Sequence, residues 1–85
     1  MYDAERKEVE LLADDGLIEA VIDRFGRDVR ITPRTDGRFS VKTEVAAGPG
    51  FYGWVFGTCG RVTIAGPDDV KRAYAKLVRK AGETL

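Results

Sequence analysis

The chain contains no histidine, and it has one cysteine, one methionine, one tryptophan and a single serine, Ser40. Each shortage excludes something. Without His the commonest general base and metal ligand is gone, and Cys59 by itself completes neither a zinc set nor an internal disulfide. Among small and apolar neighbours, Cys59 reads as a small buried hydrophobe rather than a nucleophile. Ser40 falls on a strand face expected to be wet. The paired carboxylates Asp14/Asp15 and Asp68/Asp69 stand at helix starts, where capping accounts for them. No catalytic residue is therefore assigned, no enzyme is expected, and no cofactor or metal is expected either. A long apolar run and a signal-like start are also missing, which points to a reducing, cytoplasmic setting with no membrane partner.

Net charge is the next absence: fourteen Lys and Arg balance fourteen Asp and Glu. A balanced chain has no long-range attraction to a polyanion, so a nucleic-acid role would need a local patch or another part of a longer chain. What remains is 85 residues, 44% apolar and 33% charged, the composition of one folded domain. A chain of this length buries only about 60–65% of the surface it exposes when unfolded, so its core must be efficient. Residues 1–8 are polar and charge-mixed, either a native start or the cut end of a longer protein. Residues 9–85 read as the single domain.

Along that domain the periodicity changes several times. Val9, Leu11 and Ala13 alternate with Glu10 and Leu12, a strand signature. Asp14-Asp15-Gly16 then fits a helix N-cap, followed by Leu17, Ile18, Val21, Ile22 and Phe25 at helical spacing and Gly26 as the stop. Val29, Ile31 and Pro33 make a second strand, short or at an edge because of the proline. Thr35-Asp36-Gly37 is a hairpin signal, and Phe39, Val41, Thr43 and Val45 alternate beyond it. A short, glycine-weakened helix over Phe51 to Thr58 leads to a strand at Arg61–Ala65. Gly66-Pro67-Asp68-Asp69 opens a last helix whose apolar stripe is Val70, Ala73, Tyr74, Leu77, Val78 and Ala81. Lys71, Arg72, Lys76, Arg79 and Lys80 lie mostly off that stripe, as a solvated face.

The order β-α-β-β-α-β-α predicts an α+β, ferredoxin-like βαββαβ two-layer sandwich: a four-stranded antiparallel sheet, two helices on one face, and a C-terminal helix added. That helix could cover a sheet edge or the open face, or reach a partner. The open face should carry Glu10, Arg30, Thr32, Arg34, Ser40, Lys42, Glu44 and Thr63. It has no aromatic on which a base could stack, so sequence-specific RNA binding there is not expected.

The densest signal is Gly48-Pro49-Gly50-Phe51-Tyr52-Gly53-Trp54-Val55-Phe56-Gly57, which holds half of the aromatic side chains and the only Trp. It spells G-x-G-x-x-G between a strand and a helix. Pro49, however, removes an amide where a pyrophosphate would need one, and the preceding strand belongs to a hairpin, so a structural turn is favoured. Two readings of the aromatics stay open. Trp54 with Phe51 or Phe56 packs the core while the Tyr52 hydroxyl stays wet, or part of the cluster is exposed as a contact surface or ligand pocket.

Three pieces, Asp23-Arg24-Phe25-Gly26, Phe51-Tyr52-Gly53-Trp54-Val55-Phe56-Gly57, and Val62-Thr63-Ile64-Ala65-Gly66-Pro67 leading to Val70, occur in an order that resembles the C-terminal extension (WCX) domain of bacterial WYL-domain transcriptional regulators. The likeness runs from about Val9 to Ala81. It implies a DNA-binding regulator whose winged helix-turn-helix and WYL domains lie upstream, making this chain an excised fragment or a stand-alone copy. It also implies that the extension helps dimer assembly and relays ligand sensing, with a nucleic-acid effector met mainly by the WYL domain. Thr58-Cys59 departs from the pattern at the turn before Gly60. The candidate interaction surface is Phe51, Tyr52 and Trp54 for an apolar contact, with Arg30, Arg34 and Lys42 on the sheet face. The rival reading is direct small-ligand or single-stranded nucleic-acid binding by those same basic and aromatic groups.

Overall fold

In the computed structural model, which describes residues 5–85, alternation builds the sheet. In β1 (Arg6–Asp14) the side chains of Val9, Leu11 and Ala13 are buried, and in β3 (Arg38–Ala46) Phe39, Val41 and Val45 are buried. The two strands pair antiparallel in one unbroken register, Leu11 opposite Val41. β2 (Arg30–Pro33) flanks β3 and β4 (Val62–Gly66) flanks β1, giving a four-stranded sheet of order β2-β3-β1-β4 with every pairing antiparallel. β1 begins at Arg6, three residues before the apolar alternation. The pairs Arg6–Glu44 at 2.7 Å and Lys7–Asp69 let the polar residues continue the ladder. Met1–Ala4, the rest of the polar start, lie outside the described residues.

Three helices, α1 (Ile18–Phe25), α2 (Pro49–Gly57) and α3 (Asp68–Gly82), complete the order β1-α1-β2-β3-α2-β4-α3. This is the ferredoxin-like α+β arrangement with a C-terminal helix. One core cluster joins Val9, Leu11, Val41 and Ile64 of the sheet to Val21 of α1, Phe51 and Val55 of α2, and Val70 of α3. Fully burying each such aliphatic side chain contributes about 1.5–3 kcal/mol before conformational entropy is set against it.

The turns follow from single residues. Gly26 ends α1 with φ +91°, and Gly37 closes the β2–β3 hairpin with φ +81°. Pro49 occupies the first turn of α2, where its missing N–H has no intrahelical partner to lose. The aspartates do not cap α1. Asp14 ends β1, its N–H donating to the Arg61 carbonyl, and its carboxylate lies 3.8 Å from the Arg61 guanidinium. Asp15 opens a single 3-10 turn (Asp15–Leu17), which carries the chain into α1 without a side-chain cap. At α3, Asp69 accepts a hydrogen bond from the Val70 N–H at 2.9 Å and also binds Lys7, so it ties the helix start to β1.

α3 does not cover the open sheet face. It packs against β4 and lies beside α2, with Val70 in the core and Tyr74 stacked on Tyr52 at 5.8 Å and 28°. Beyond Tyr74 the helix leaves the core: Leu77 and Val78 are both exposed.

Candidate interaction surface

Two of the three basic residues expected on the sheet face, Arg30 and Arg34, are paired in place. Arg30 pairs with Glu8 at 3.1 Å. Lys42 sits between Glu10 of β1 and Arg30 of β2 in the cross-strand register. Arg34 lies just past β2 in the hairpin turn and, with Arg38, grips Asp36 at 3.1–3.3 Å. The Arg34 hydrogen bond, helped by Arg38, holds the Asp36 carboxyl down at about 2. Opposite charges facing each other across strands stabilise the sheet locally. The pairing also leaves Arg30 and Arg34 little field to offer a polyanion.

The aromatic residues lie on the other side of the sheet. Phe51 and Tyr52 are 3% and 8% exposed, both within the core. They thus form the wall behind any contact surface rather than the surface itself. Trp54 is half-buried and meets Phe25 edge-on at 5.1 Å. A chain of rings, Trp54–Phe25–Phe51–Tyr52–Tyr74, with neighbours 5.1–6.4 Å apart, joins all three helices. Such tilted and stacked pairs each add about 0.5–1.5 kcal/mol beyond their buried area. The structure does not bring Arg30, Arg34 and Lys42 together with Phe51, Tyr52 and Trp54; the sheet lies between the two groups.

Among the described residues the ring left outside is Phe56, 62% exposed. With Pro49, Tyr52 and Gly53 of α2 and Tyr74, Leu77, Val78 and Ala81 of α3, it lines an open apolar groove of about 200 Å³. That is below the usual small-molecule range of about 300–1,000 Å³, and suits side chains pressed in from another surface. Gly53 leaves part of one wall bare, since a Cβ there would meet nothing within 4 Å. Burial pushes the Tyr74 hydroxyl pKa above its ordinary value. A larger hollow of about 480 Å³ lies at the start of α2, bordered by Arg6, Arg24, Glu44 and Gly50. It is open and of mixed polarity, with Phe25, Val45 and Pro49 also in its lining, and its Arg6 is already bound to Glu44.

Phe56 escaped the sequence reading because α2 is apolar all round, so periodicity could not say which ring faces out. The α3 stripe did carry the signal, in that Leu77, Val78 and Ala81 continue past the point where a small core ends. Cys59 is a correction. It is exposed rather than buried, at φ +57° in the left-handed region, just before Gly60 at φ +85°. Thr58 makes the turn at the end of α2 work: its hydroxyl donates to the Val55 carbonyl at 2.6 Å and accepts from the Val62 N–H at 3.2 Å. With Thr58 holding the turn, Cys59 projects outward. No group of His, Cys, Asp or Glu able to hold a metal occurs among the described residues. No helix there is long and apolar enough to cross a membrane.

These features define a class: a ferredoxin-like α+β domain with an added helix, and an apolar groove between its last two helices. The family model of the WCX domain matches residues 5–82, nearly the whole chain, and the protein belongs to that regulator-associated family. No curated protein matches the chain.

Proposed function

We propose that this domain is a non-catalytic regulatory and assembly module of a WYL-type helix-turn-helix transcriptional regulator of the bacterial cytoplasm, mediating dimerisation or relaying ligand sensing. The observation that carries the reading is the exposed apolar strip of Phe56, Leu77 and Val78 beside a completed core. A small domain with its own core covered gains nothing internally from such a strip, and contiguous exposed apolar surface marks contact sites. The WCX family match supplies the regulatory context, and its partners would be the upstream WYL and helix-turn-helix domains or a second copy. The linked rings support the relay, because a displacement of α3 at Tyr74 would be felt at Tyr52 and Phe51 in α2 and at Phe25 in α1.

Mass in solution, measured by light scattering over a concentration series, tests the assembly branch. Wild type would be compared with Leu77→Gln on the helices and Arg34→Glu on the sheet side. A dimer lost in Leu77→Gln supports assembly through the helix layer, and one lost in Arg34→Glu moves it to the hairpin side. A monomer at every concentration removes self-assembly by this domain and leaves the relay.

A further inference from the structure

The charge around the groove selects its occupant. From Val70 to Gly82, α3 carries Lys71, Arg72, Lys76, Arg79 and Lys80 and no acidic residue. None of these cations is in an ion pair among the described residues, whereas the sheet-face Arg6 and Arg30 are both paired. Of the eight Lys and Arg outside any ion pair among the described residues, five thus lie on this one helix; the others, Arg24, Arg27 and Lys42, lie on α1, just past it, and on β3. At about 100° per residue, Lys71 and Lys80 flank the strip of Tyr74, Leu77, Val78 and Ala81, and the other three lie behind it. The opposite wall, α2, has no charged residue at all.

We infer that the α2–α3 groove is the docking site for an amphipathic helix with acidic flanks, supplied by a partner protein segment. The inference rests on the reading of the domain as a contact module and names what its apolar strip contacts. Apolar anchors at i, i+3, i+4 and i+7 would press between Phe56 and Leu77, approaching the bare backbone at Gly53. Glu or Asp beside them would meet Lys71 and Lys80. This is the helix-in-groove mode of recognition, with charge setting specificity and association rate. A second copy laid groove to groove would bring two of these cationic helices together, and like charges across an interface oppose it. A nucleic-acid strand would satisfy the cations but leave Phe56, Leu77 and Val78 facing phosphate and sugar.

The probe is a dye-labelled synthetic helix of roughly four turns, with Leu at i, i+3, i+4 and i+7 and Glu elsewhere, titrated by fluorescence anisotropy. Its controls are the same peptide with Lys for every Glu, the same composition with Leu positions scrambled, and a single-stranded oligothymidine. Expected is saturable binding of the acidic helix alone, weakened several-fold when salt rises from about 0.05 to 0.5 M. Phe56→Gln and Leu77→Gln, both at exposed positions, should each weaken it roughly tenfold or more. Amide chemical shifts of the labelled protein should move along α2 and α3 and not on the open sheet face. The inference is overturned by absence of binding, by equal binding of the Lys or scrambled peptide, by shifts on the sheet face, or by displacement of the peptide by the oligonucleotide. Light scattering separates the two readings. A dimer abolished by Leu77→Gln assigns the groove to a second copy and overturns this inference while the regulatory module stands. A monomer that binds the acidic helix upholds the groove while dimerisation fails.

Discussion

Tyr74→Ala tests whether α3 is anchored where the structure places its hinge. Only Val70, at 1% exposure, and the half-buried Tyr74 reach from α3 into the rest of the protein with large side chains. Tyr74 has most of its surface withdrawn from water, which beyond what Ala would keep is about 100 Å², or about 2.5 kcal/mol at about 25 cal/mol per Å². The stack on Tyr52 adds about 1 kcal/mol, and the better helix propensity of Ala returns about 0.5 kcal/mol. The expected loss is therefore about 3 kcal/mol, or roughly 15 °C in Tm for a domain of this size. Tyr74→Phe keeps the ring and should stay within about 0.5 kcal/mol of wild type. Urea unfolding followed by Trp54 fluorescence gives both numbers. Amide exchange should show α3 losing protection in the Ala variant before β1 and β3 do. If Tyr74→Ala stays within about 0.5 kcal/mol of wild type, the Tyr52 stack does not hold α3, and the groove it walls is not a fixed feature. If Phe is as harmful as Ala, the ring is not what matters.

Three further outcomes are expected. Because the Asp36 carboxyl sits at about 2 when folded, against an ordinary value of 3.8, its contribution is complete above about pH 4 and is lost as pH falls through 2. A carboxyl titration by NMR should find its midpoint well below the ordinary 3.8, and Arg34→Ala should raise it, whereas an unchanged midpoint would remove Arg34 as the cause. At Cys59, held at φ +57°, Gly should raise stability by about 0.5–1 kcal/mol and Val should lower it by about 1–2 kcal/mol, and thiol reagents should label the native protein without unfolding it. Thr58→Val should cost about 1–2 kcal/mol because the Val62 N–H loses its acceptor, while Thr58→Ser should cost less than half of that; both are read from denaturant midpoints.

Much of the fold was legible because its signals are local. Alternation in Val9–Ala13 and Phe39–Val45 places strands, Gly26 and Gly37 mark turns that need positive φ, and the α3 stripe has helical spacing. The order of elements then leaves few topologies. What was not legible depends on tertiary geometry. Asp14 and Asp15 have the chemistry of caps, but the pairing of Asp14 with Arg61 and the 3-10 turn take precedence. Thr58-Cys59-Gly60 looks apolar enough to bury, yet closing a nine-residue helix onto β4 turns Cys59 outward. Phe51, Tyr52 and Phe56 sit on one uniformly apolar helix, and only the position of the sheet decides which rings go in. Nothing local says that α3 lies beside α2 rather than across the open face.

The free edge at β2 limits how copies of this domain can join. It is four residues long and ends in Pro33, which has no N–H to donate, and beside it Arg34, Asp36 and Arg38 form a compact charged knot. The opposite edge strand, β4, has α3 packed against it. Neither border offers the long, bare row of amides and carbonyls that recruits another chain by strand addition. Filaments grown by extending the sheet are disfavoured by the way the sheet ends, and larger assemblies are directed to the helices. A substitution that removed Pro33 and lengthened β2 would open that border, and turbidity rather than dimer mass would be where the change appeared.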